Sequence, residues 1–319
     1  MVTLFSVGRP TDPHILRVHE HLADYEVATV LAASWSEDLT RFLPATWSLS
    51  EGFSLPRNCA FWLRNKHWVG AITSEEKQAE WWSFASTMEF FRASAQQGVL
   101  SFNGSQSPAA TDDKIAQLIC ARESGFRLPE TLVSNEKGRI LEFLEQHKDC
   151  IVKPLTASAI LPIGEDMTTL VHLPTMAVGV ADIFAREEAE FIGSPSIFQQ
   201  RVEKRHELRV IAFGDEIITF KLDSQERDIT SLDWRAYEPL VSCTVVETPE
   251  DIVAPIQRYF EASGLHNSVF DFAVNPDGES VFFESNPAGQ WARMDIMHDG
   301  IVSRMFARKM AEAMQALPE

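Results

Sequence analysis

The segment Val269-Phe-Asp-Phe-Ala-Val-Asn-Pro-Asp-Gly-Glu-Ser-Val-Phe-Phe-Glu-Ser-Asn286 is the most informative stretch of the chain. Two β-rich runs flank Asp277-Gly278, a dipeptide that favours a two-residue type I′ turn, so the segment predicts a β-hairpin. With that turn, Asp271 lies directly opposite Glu284. Opposed side chains on antiparallel strands are roughly 5 Å apart, and like charges there are destabilising. The two carboxylates therefore need a shared proton or a cation.

Asn286 adds a third oxygen to this pair. It follows Glu284 by two residues and therefore lies on the same face of the strand. An open, all-oxygen site with two carboxylates is the type that Mg²⁺ prefers, so we predict a magnesium site formed by Asp271, Glu284 and Asn286. The spacing alone is also compatible with a hairpin that carries solvent-exposed acids, and Pro276 allows a one-residue slip that would place the acids on opposite faces.

Composition and charge limit the classes of function. The chain has 319 residues, 45% of them hydrophobic and 23% charged, which is typical of a globular protein with two or three subdomains. A net charge of −18 argues against a nucleic-acid partner. No apolar run approaches the roughly 20 residues of a membrane span, and the N-terminus does not have the layout of a signal peptide, so we expect a cytoplasmic protein without membrane contacts. The four cysteines are widely spaced, which indicates reduced structural thiols.

The order of strand and helix signals predicts an α/β chain in three parts, at about 1–105, 106–197 and 198–319. The first part alternates strands and helices, and its long helix from Ser74 carries an aromatic stripe that predicts core packing or a subunit interface. A polar loop ends this part. The second part begins with a helix that we expect Thr111 to cap.

The third part contains the acidic hairpin and two further helices. The first runs from Pro249 to Ser263, with Thr248 as the expected N-cap and Gly264 as the stop. The second closes the chain and is expected to end near Gln315.

Two lysines occupy positions that suit phosphate binding. Lys114 lies in the first turn of the helix that opens the second part, and Lys153 ends the β-rich run Ile-Val-Lys-Pro154. A lysine at a strand end places one point charge at the lip of a sheet, where phosphates often bind. Taken singly, each lysine fits a solvated surface position better than a phosphate-binding one.

The run Gln199-Gln-Arg-Val-Glu203, followed by Glu207-Leu-Arg-Val210, has the pattern of a strand pair. Such a strand can offer backbone N–H and C=O groups to a purine edge, and a later carboxylate can accept hydrogen bonds from ribose hydroxyls. An ordinary amphipathic strand pair with ion-paired Glu and Arg side chains has the same pattern.

The order of these motifs resembles the signature of the ATP-grasp superfamily from about residue 100 to the end. More narrowly, the chain resembles the graspetide (microviridin-type) peptide ligases. The phrases that carry this narrower resemblance are Val202-Glu-Lys-Arg-His-Glu-Leu-Arg209 and Asn286-Pro-Ala-Gly-Gln-Trp291, with weaker echoes in Thr11-Asp12-Pro13-His14 and Phe61-Trp-Leu-Arg64.

The resemblance implies an ATP-grasp fold: an N-terminal pre-ATP-grasp α/β domain at 1–105, a central subdomain at 106–197, and a C-terminal subdomain with the metal site at 198–319. It also implies roles in nucleotide binding. Phosphates would be contacted by Lys114 and Lys153, adenine by Gln200, Arg201, Val202 and Glu203, and the ribose by Glu207.

The remaining implied roles concern the metal and the reaction. One or two Mg²⁺ ions would be held by Asp271, Glu284 and Asn286, and the transferred phosphoryl group and substrate carboxylate would be faced by Arg209, Lys221 and Arg293. The implied partner is a precursor peptide with a leader and a core rich in acidic residues and in hydroxyl residues or lysine. The implied enzyme is an ADP-forming homodimer that cross-links side chains of this peptide through acyl phosphates.

Two other functions remain open at this point. One is an intermolecular carboxylate–amine ligase that acts on a peptide or a small acid. The other is an ATP-binding protein without turnover, although the complete metal triad argues against it.

The sequence departs from the family pattern in three places. The stretch 155–164 lacks a glycine-dense phosphate loop, Asn65 replaces the second arginine of a Trp-x-Arg-Arg stretch, and Ala288 replaces an expected asparagine. The first departure concerns the lid over the nucleotide, and the other two concern which peptide is bound.

Overall fold

A computed structural model describes residues 2–8, 11–32, 46–48, 52–54, 59–64, 75–103, 113–155, 158–162, 168–172, 175–187, 194–226 and 241–317. Its strands are β1 (Thr3–Val7), β2 (Ala28–Ala32), β3 (Thr46–Ser48), β4 (Gly52–Ser54), β5 (Cys59–Leu63), β6 (Ser101–Phe102), β7 (Thr131–Ser134), β8 (Cys150–Pro154), β9 (Ser158–Pro162), β10 (Thr168–His172), β11 (Met176–Val178), β12 (Ser196–Gln200), β13 (His206–Phe213), β14 (Glu216–Leu222), β15 (Cys243–Val246), β16 (Asn267–Val274) and β17 (Ser280–Asn286). Its helices are α1 (Pro13–Leu22), α2 (Glu75–Gln96), α3 (Lys114–Glu123), α4 (Lys137–His147), α5 (Val180–Phe184), α6 (Glu250–Ser263), α7 (Ala292–Met297) and α8 (Ile301–Gln315).

Three main sheets follow one another along the chain. The first has the order β2-β1-β5-β6 and is parallel, as expected where helices connect the strands. The second has the order β11-β8-β12-β7, and the third has the order β15-β14-β13-β16-β17; both are antiparallel. The mixed α/β architecture predicted from the sequence is therefore confirmed.

The aromatic stripe of α2 contributes to the core of the first sheet. Met88 and Phe91 are buried against the sheet, and the Phe91 ring stacks on Phe61 at 4.3 Å between ring centroids. Trp82, in contrast, is 61% exposed. The prediction of core packing is thus confirmed for Met88 and Phe91.

The third sheet is covered on both faces. One face packs against α3 and α6 through a cluster rich in phenylalanine. The other face packs against the first sheet, α1 and α8, and this cluster joins residues from both ends of the chain, such as Trp62, Phe213 and Phe306. Next to the cluster that contains Trp62 and Phe306, this second face of the third sheet lines a pocket together with the second sheet.

The acidic hairpin forms, but its turn differs from the prediction. Asn275 N donates to Glu279 O at 3.1 Å, so the loop has three residues, Pro276-Asp277-Gly278, and Gly278 has φ +85°. Pro276 shifts the turn by one residue relative to a two-residue type I′ turn, and the left-handed glycine closes the longer loop.

Two helix starts also differ from the predictions. The N-cap of α3 is Asp113, which accepts from Ile115 N and Ala116 N, while the predicted cap Thr111 lies outside the described residues. Helix α6 begins at Glu250 after Pro249, without a side-chain cap, because Thr248 Oγ1 is hydrogen-bonded to Thr219 Oγ1 instead.

The closing helix is divided into α7 and α8. Gly300, with φ +77°, separates the two helices. The four cysteines are free and buried, as expected for reduced thiols. Within the described ranges, no helix combines the length and the apolarity that a membrane crossing requires.

Candidate nucleotide and metal site

A pocket lies between the second and third sheets and collects most of the predicted site residues. The predicted residues that line it are Lys153, Gln200, Arg201, Val202, Glu207, Asp271 and Glu284. An adjoining cleft shares Gln200, Arg201 and Val202 and also contains Glu203. The structure therefore brings together lysine, strand-edge backbone and carboxylates from positions more than 100 residues apart.

A β-bulge places Glu284 on the pocket side. Phe272 pairs with Phe282 and Asp271 pairs with Glu284, so Phe283 is an extra residue in β17. Strand residues alternate between faces, and Phe282 points into the phenylalanine cluster. Without the extra residue, Glu284 would follow Phe282 into that cluster; with it, Phe283 and Glu284 both line the pocket. The predicted pairing of Asp271 with Glu284 is thus observed, although the predicted turn is not.

Arg209 provides the positive charge closest to this carboxylate pair. It pairs with Asp271 across β13 and β16, and its Nη1 donates to Asp271 Oδ1 and Oδ2 at 2.8 and 2.7 Å. Both residues are buried, with 4% and 5% exposure. Its Nη2 donates to Gln290 O at 2.8 Å. The like charges of the hairpin are therefore partly compensated within the chain.

The oxygen atoms present fit a magnesium ion. Asp271 and Glu284 are adjacent on one face, and Asn286 lies on the same strand with its Oδ1 accepting from Ala288 N at 3.1 Å. Among the described residues, no three His, Cys, Asp or Glu side chains group as a metal site. Two carboxylates and one amide oxygen, with water and phosphate oxygens, suit a hard cation with six oxygen ligands.

Two predicted lysines meet at the end of β8. Lys114 Nζ donates to Pro154 O at 2.8 Å, which places α3 beside the strand end that carries Lys153. The Nζ of Lys153 lies 5.4 Å from the centroid of the Phe283 ring. Lys153 and Phe283 line the same pocket as the two carboxylates.

Glu207 is held in place by two neighbours. Its Oε1 accepts from Lys204 Nζ and from Ser224 Oγ, both at 2.8 Å. Lys204 also lies 5.9 Å from the Phe283 ring centroid and lines the pocket. Sequence reasoning missed Lys204, and the available signal was its position three residues before Glu207.

Five predicted site residues line neither this pocket nor the adjoining cleft. Three of them lie close to it through the contacts and pairing given above: Lys114, Arg209 and Asn286. The other two are not brought to it. Lys221 pairs with Leu208, the neighbour of Arg209, so it lies on the opposite face of the sheet and forms an ion pair with Asp223 at 2.7 Å. Arg293 lies in the first turn of α7, where its Nη2 donates to Val241 O at 3.0 Å.

A second group of polar residues, from the N-terminal part, lies against the segment that follows β17. His14 Nδ1 is 2.8 Å from Asp12 Oδ1, and Arg64 Nε is 3.5 Å from Asp12 Oδ2. Burial lowers the pKa of His14 from 6.5 to about 4, with a further contribution from the charge of Arg64, while Asp12 and Asp295 oppose the shift. His14 is therefore neutral near pH 7, with a proton on Nδ1 donated to Asp12 and with Nε2 as an acceptor.

This neutral histidine predicts a pH dependence of stability. Its pKa is lower in the folded chain than in the unfolded chain, so the unfolded state takes up a proton first, and the free energy of unfolding should fall as the pH drops from about 6.5 to about 4. A pKa lowered from 6.5 to about 4 corresponds to about 3 kcal/mol. Burial lowers the pKa of His19 to a similar value, so His14→Gln should flatten the dependence without abolishing it. Urea denaturation at several pH values measures this, and an unchanged slope in the variant would contradict it.

No family model and no curated protein sequence matches the chain. Solved structures do. The chain is similar to a RiPP-associated ATP-grasp ligase of Chryseobacterium gregarium in complex with ADP and a leader and core peptide, with a TM-score of 0.77, 21% identity, and coverage of 100% of this chain and 98% of that one.

Two further solved structures are similar to the chain over almost its whole length. The macrocyclase MdnC from Microcystis aeruginosa MRC, bound with precursor peptide MdnA, gives a TM-score of 0.72 and 19% identity, with 99% of both chains covered. The ATP-grasp ligase PsnB, complexed with a phosphomimetic variant of its minimal precursor, Mg and ADP, gives 0.73 and 16%, with 99% of both chains covered. As the order of its motifs predicts, the chain has the fold of the ATP-grasp ligases.

Proposed function

We propose that the protein is an ATP-dependent, ADP-forming ligase that cross-links side chains within a ribosomally made precursor peptide. The observation that carries the proposal is the pocket that joins Lys153, Gln200–Val202 and Glu207 to the Asp271–Glu284 pair. This pocket lies in a chain whose whole length matches ligases solved with ADP and precursor peptides.

The nucleotide would lie between the second and third sheets. Lys114 and Lys153 would contact its phosphates, because both side chains lie at the end of β8. Gln200 N and Arg201 N donate to backbone carbonyls of neighbouring segments. We therefore assign the purine edge to the Val202 amide and to carbonyl groups between Gln200 and Glu203. Glu207, fixed by its two hydrogen bonds, would accept from the ribose hydroxyls.

The phosphoryl-transfer end of the pocket would be formed by the acidic hairpin. Asp271, Glu284 and Asn286 would hold one or two Mg²⁺ ions, which supply charge neutralisation on the phosphates. Arg209 would lie next to the transferred phosphoryl group through its contact with Asp271. Arg293 is assigned a more distant role towards the substrate carboxylate, and Lys221, which lies on the opposite face of the sheet, is assigned none.

The proposed reaction has two steps. An Asp or Glu side-chain oxygen of the peptide attacks the γ-phosphorus, and the bond from that phosphorus to ADP breaks. A hydroxyl or amine of the same peptide then attacks the acyl carbon, loses its proton, and inorganic phosphate leaves, which forms an ester or an amide. The chain's part is to position the reactants, to place cationic groups near the developing charge and to exclude water from the acyl phosphate.

The partner would be a peptide with a leader and a core rich in Asp or Glu together with Ser, Thr or Lys. The leaders and cores in the related structures support a peptide partner. We further propose a cytoplasmic homodimer and a division of the chain at about residues 105 and 197.

Mass spectrometry of a candidate precursor incubated with the protein, ATP and Mg²⁺ tests the proposal. Successive losses of about 18 Da, one water per condensation, with ADP formed in step, are expected for intramolecular cross-links. A gain in mass would instead favour the intermolecular carboxylate–amine ligase. If no acceptor changes in mass and no ADP forms, the result would favour an ATP-binding protein without turnover.

The role of Glu207 gives a separate prediction. Glu207→Ala should weaken the apparent affinity for ATP about tenfold or more, since a hydrogen bond to a charged group contributes about 1.5–3 kcal/mol. Turnover at saturating ATP should be largely retained, because the side-chain hydrogen bonds of Glu207 are to Lys204 and Ser224 and not to the hairpin acids. Initial rates over a range of ATP concentrations measure both quantities, and an unchanged apparent affinity would argue against the ribose contact.

A further inference from the structure

Four side chains from elsewhere in the chain bind five backbone groups of the segment 287–292, which directly follows Asn286. Asn103 Nδ2 donates to Pro287 O at 3.1 Å, and Arg64 Nη2 donates to Gly289 O at 2.9 Å. Arg209 Nη2 donates to Gln290 O at 2.8 Å. His14 Nε2 accepts from the amides of residues 291 and 292, at 3.0 and 3.1 Å. Three of these four side chains come from the first 103 residues of the chain.

Each of the three N-terminal side chains has a further contact within the chain, which for Arg64 is the ion pair with Asp12. His14 is bonded to Asp12 at 2.8 Å, and its ring lies edge-on to Trp291 with 4.7 Å between centroids. Asn103 Nδ2 donates to Asn267 Oδ1, and Asn103 Oδ1 accepts from Asn267 N. His14, Arg64 and Asn103 are 1%, 5% and 4% exposed. Side chains fixed and buried in this way hold the segment in one conformation.

Direct contacts connect the segment 287–292 to the proposed metal ligands. Gln290 O binds the same guanidinium that binds both carboxylate oxygens of Asp271. A Cβ on Gly289 would lie 2.6 Å from Val269 Cβ, so the segment packs directly on β16, two residues before Asp271. A shift of residues 287–292 would therefore move Asn286, Arg209 and Asp271 together.

We propose that His14, Arg64 and Asn103 are positioning residues that set the geometry of the metal ligands through the backbone of 287–292. The proposal rests on the proposed function, since it takes Asp271, Glu284 and Asn286 as those ligands. The three side chains contact the segment 287–292, which follows the proposed ligand Asn286, and they are not themselves proposed to bind the metal or the nucleotide. The N-terminal part of the chain thereby contributes to metal binding without supplying a ligand.

Binding of Mn²⁺, measured by electron paramagnetic resonance in the presence of ADP, tests this without requiring the peptide. His14→Phe keeps an aromatic ring against Trp291 but removes the acceptor for two amides. We expect its Mn²⁺ affinity to fall about 10-fold or more, the range seen when groups that orient metal ligands are removed. His14→Gln, which restores an acceptor oxygen, should bind Mn²⁺ nearly as the unaltered protein does.

Arg17→Gln is the matched control. Arg17 also joins α1 to the C-terminal part, through Asp295, but it does not contact residues 287–292. It should lower the melting temperature while leaving Mn²⁺ affinity unchanged. If His14→Phe does not fold, Arg64→Met provides the second test, since it removes the donor to Gly289 O and keeps an unbranched stem.

The outcomes separate this proposal from the proposed function. Weak Mn²⁺ binding in His14→Phe or Arg64→Met, with normal binding in Arg17→Gln, supports the positioning role. Normal Mn²⁺ affinity in folded His14→Phe or Arg64→Met overturns it and leaves the proposed function intact. An equal loss in Arg17→Gln also overturns it, because general loosening would then explain the effect. If the unaltered protein binds no Mn²⁺ with ADP, the proposed metal site itself is wrong.

Discussion

Glu284→Gln is expected to reduce ADP formation by about a thousandfold or more, which corresponds to about 4 kcal/mol of transition-state stabilisation. The amide preserves the shape of the side chain but removes one of the two negative charges that would bind Mg²⁺. The fold should remain intact, because the substitution also removes the repulsion between directly opposed carboxylates. A coupled assay of ADP release and the free energy of unfolding in urea measure the two effects.

Glu216→Gln is a suitable control for this experiment. Glu216 lies at the start of β14 and pairs with Arg308 on the surface, away from the pocket. It should keep full ADP formation, since exposed ion pairs contribute little. Normal turnover by Glu284→Gln would remove Glu284 from the metal site.

Asp271→Asn is expected to abolish turnover and, in contrast to Glu284→Gln, to destabilise the fold. The substitution removes the carboxylate that pairs with the buried guanidinium of Arg209, although that guanidinium still donates to Gln290 O. Removing one partner of a buried pair costs about 3–5 kcal/mol. The free energy of unfolding from urea titrations should fall by an amount in this range.

A double variant separates the lost charge pair from general disruption. Asp271→Leu combined with Arg209→Met removes both charges, so it should be less destabilised than the sum of the two single variants. Additive single effects would mean that the two side chains do not stabilise each other, and would contradict the contact.

The pairing of Asp271 with Glu284 was predictable from the sequence only in part. The dipeptide Asp277-Gly278 indicates a two-residue turn, whereas Pro276 shifts the chain into a three-residue loop. The extra residue Phe283 then restores the pairing further along the strand. Alternation of side chains does not reveal a bulge, so the correct pair followed from two deviations that compensate.

The position of Arg209 next to Asp271 could not be derived from local patterns. Strands β13 and β16 are neighbours in the sheet but are separated in sequence by β14, β15 and α6. Lys221 is a different case. A two-residue turn at Gly214-Asp215 pairs Lys221 with Leu208, so alternation across that hairpin places Lys221 on the face opposite Arg209.

The order of the motifs along the chain was more informative about the fold than hydrophobic periodicity was. The sequence of lysines, strand-edge residues and hairpin acids predicted the ATP-grasp fold, which the structural similarities confirm. The contacts of His14 and Arg64 with residues 289–292 depend on tertiary packing between the two ends of the chain, which no pattern within a short window contains.

The core cluster that joins both ends of the chain limits which segments can be exchanged between this chain and the structures similar to it. Trp62 packs against Phe306 at 6.0 Å between ring centroids, and Phe102 against Phe213 at 5.7 Å. A fragment that begins after residue 103 would expose this apolar face to water, and large exposed apolar patches promote aggregation. Chimeric proteins that exchange residues 2–103 should therefore exchange α8 with them, so that contacts such as that between Trp62 and Phe306 come from one parent.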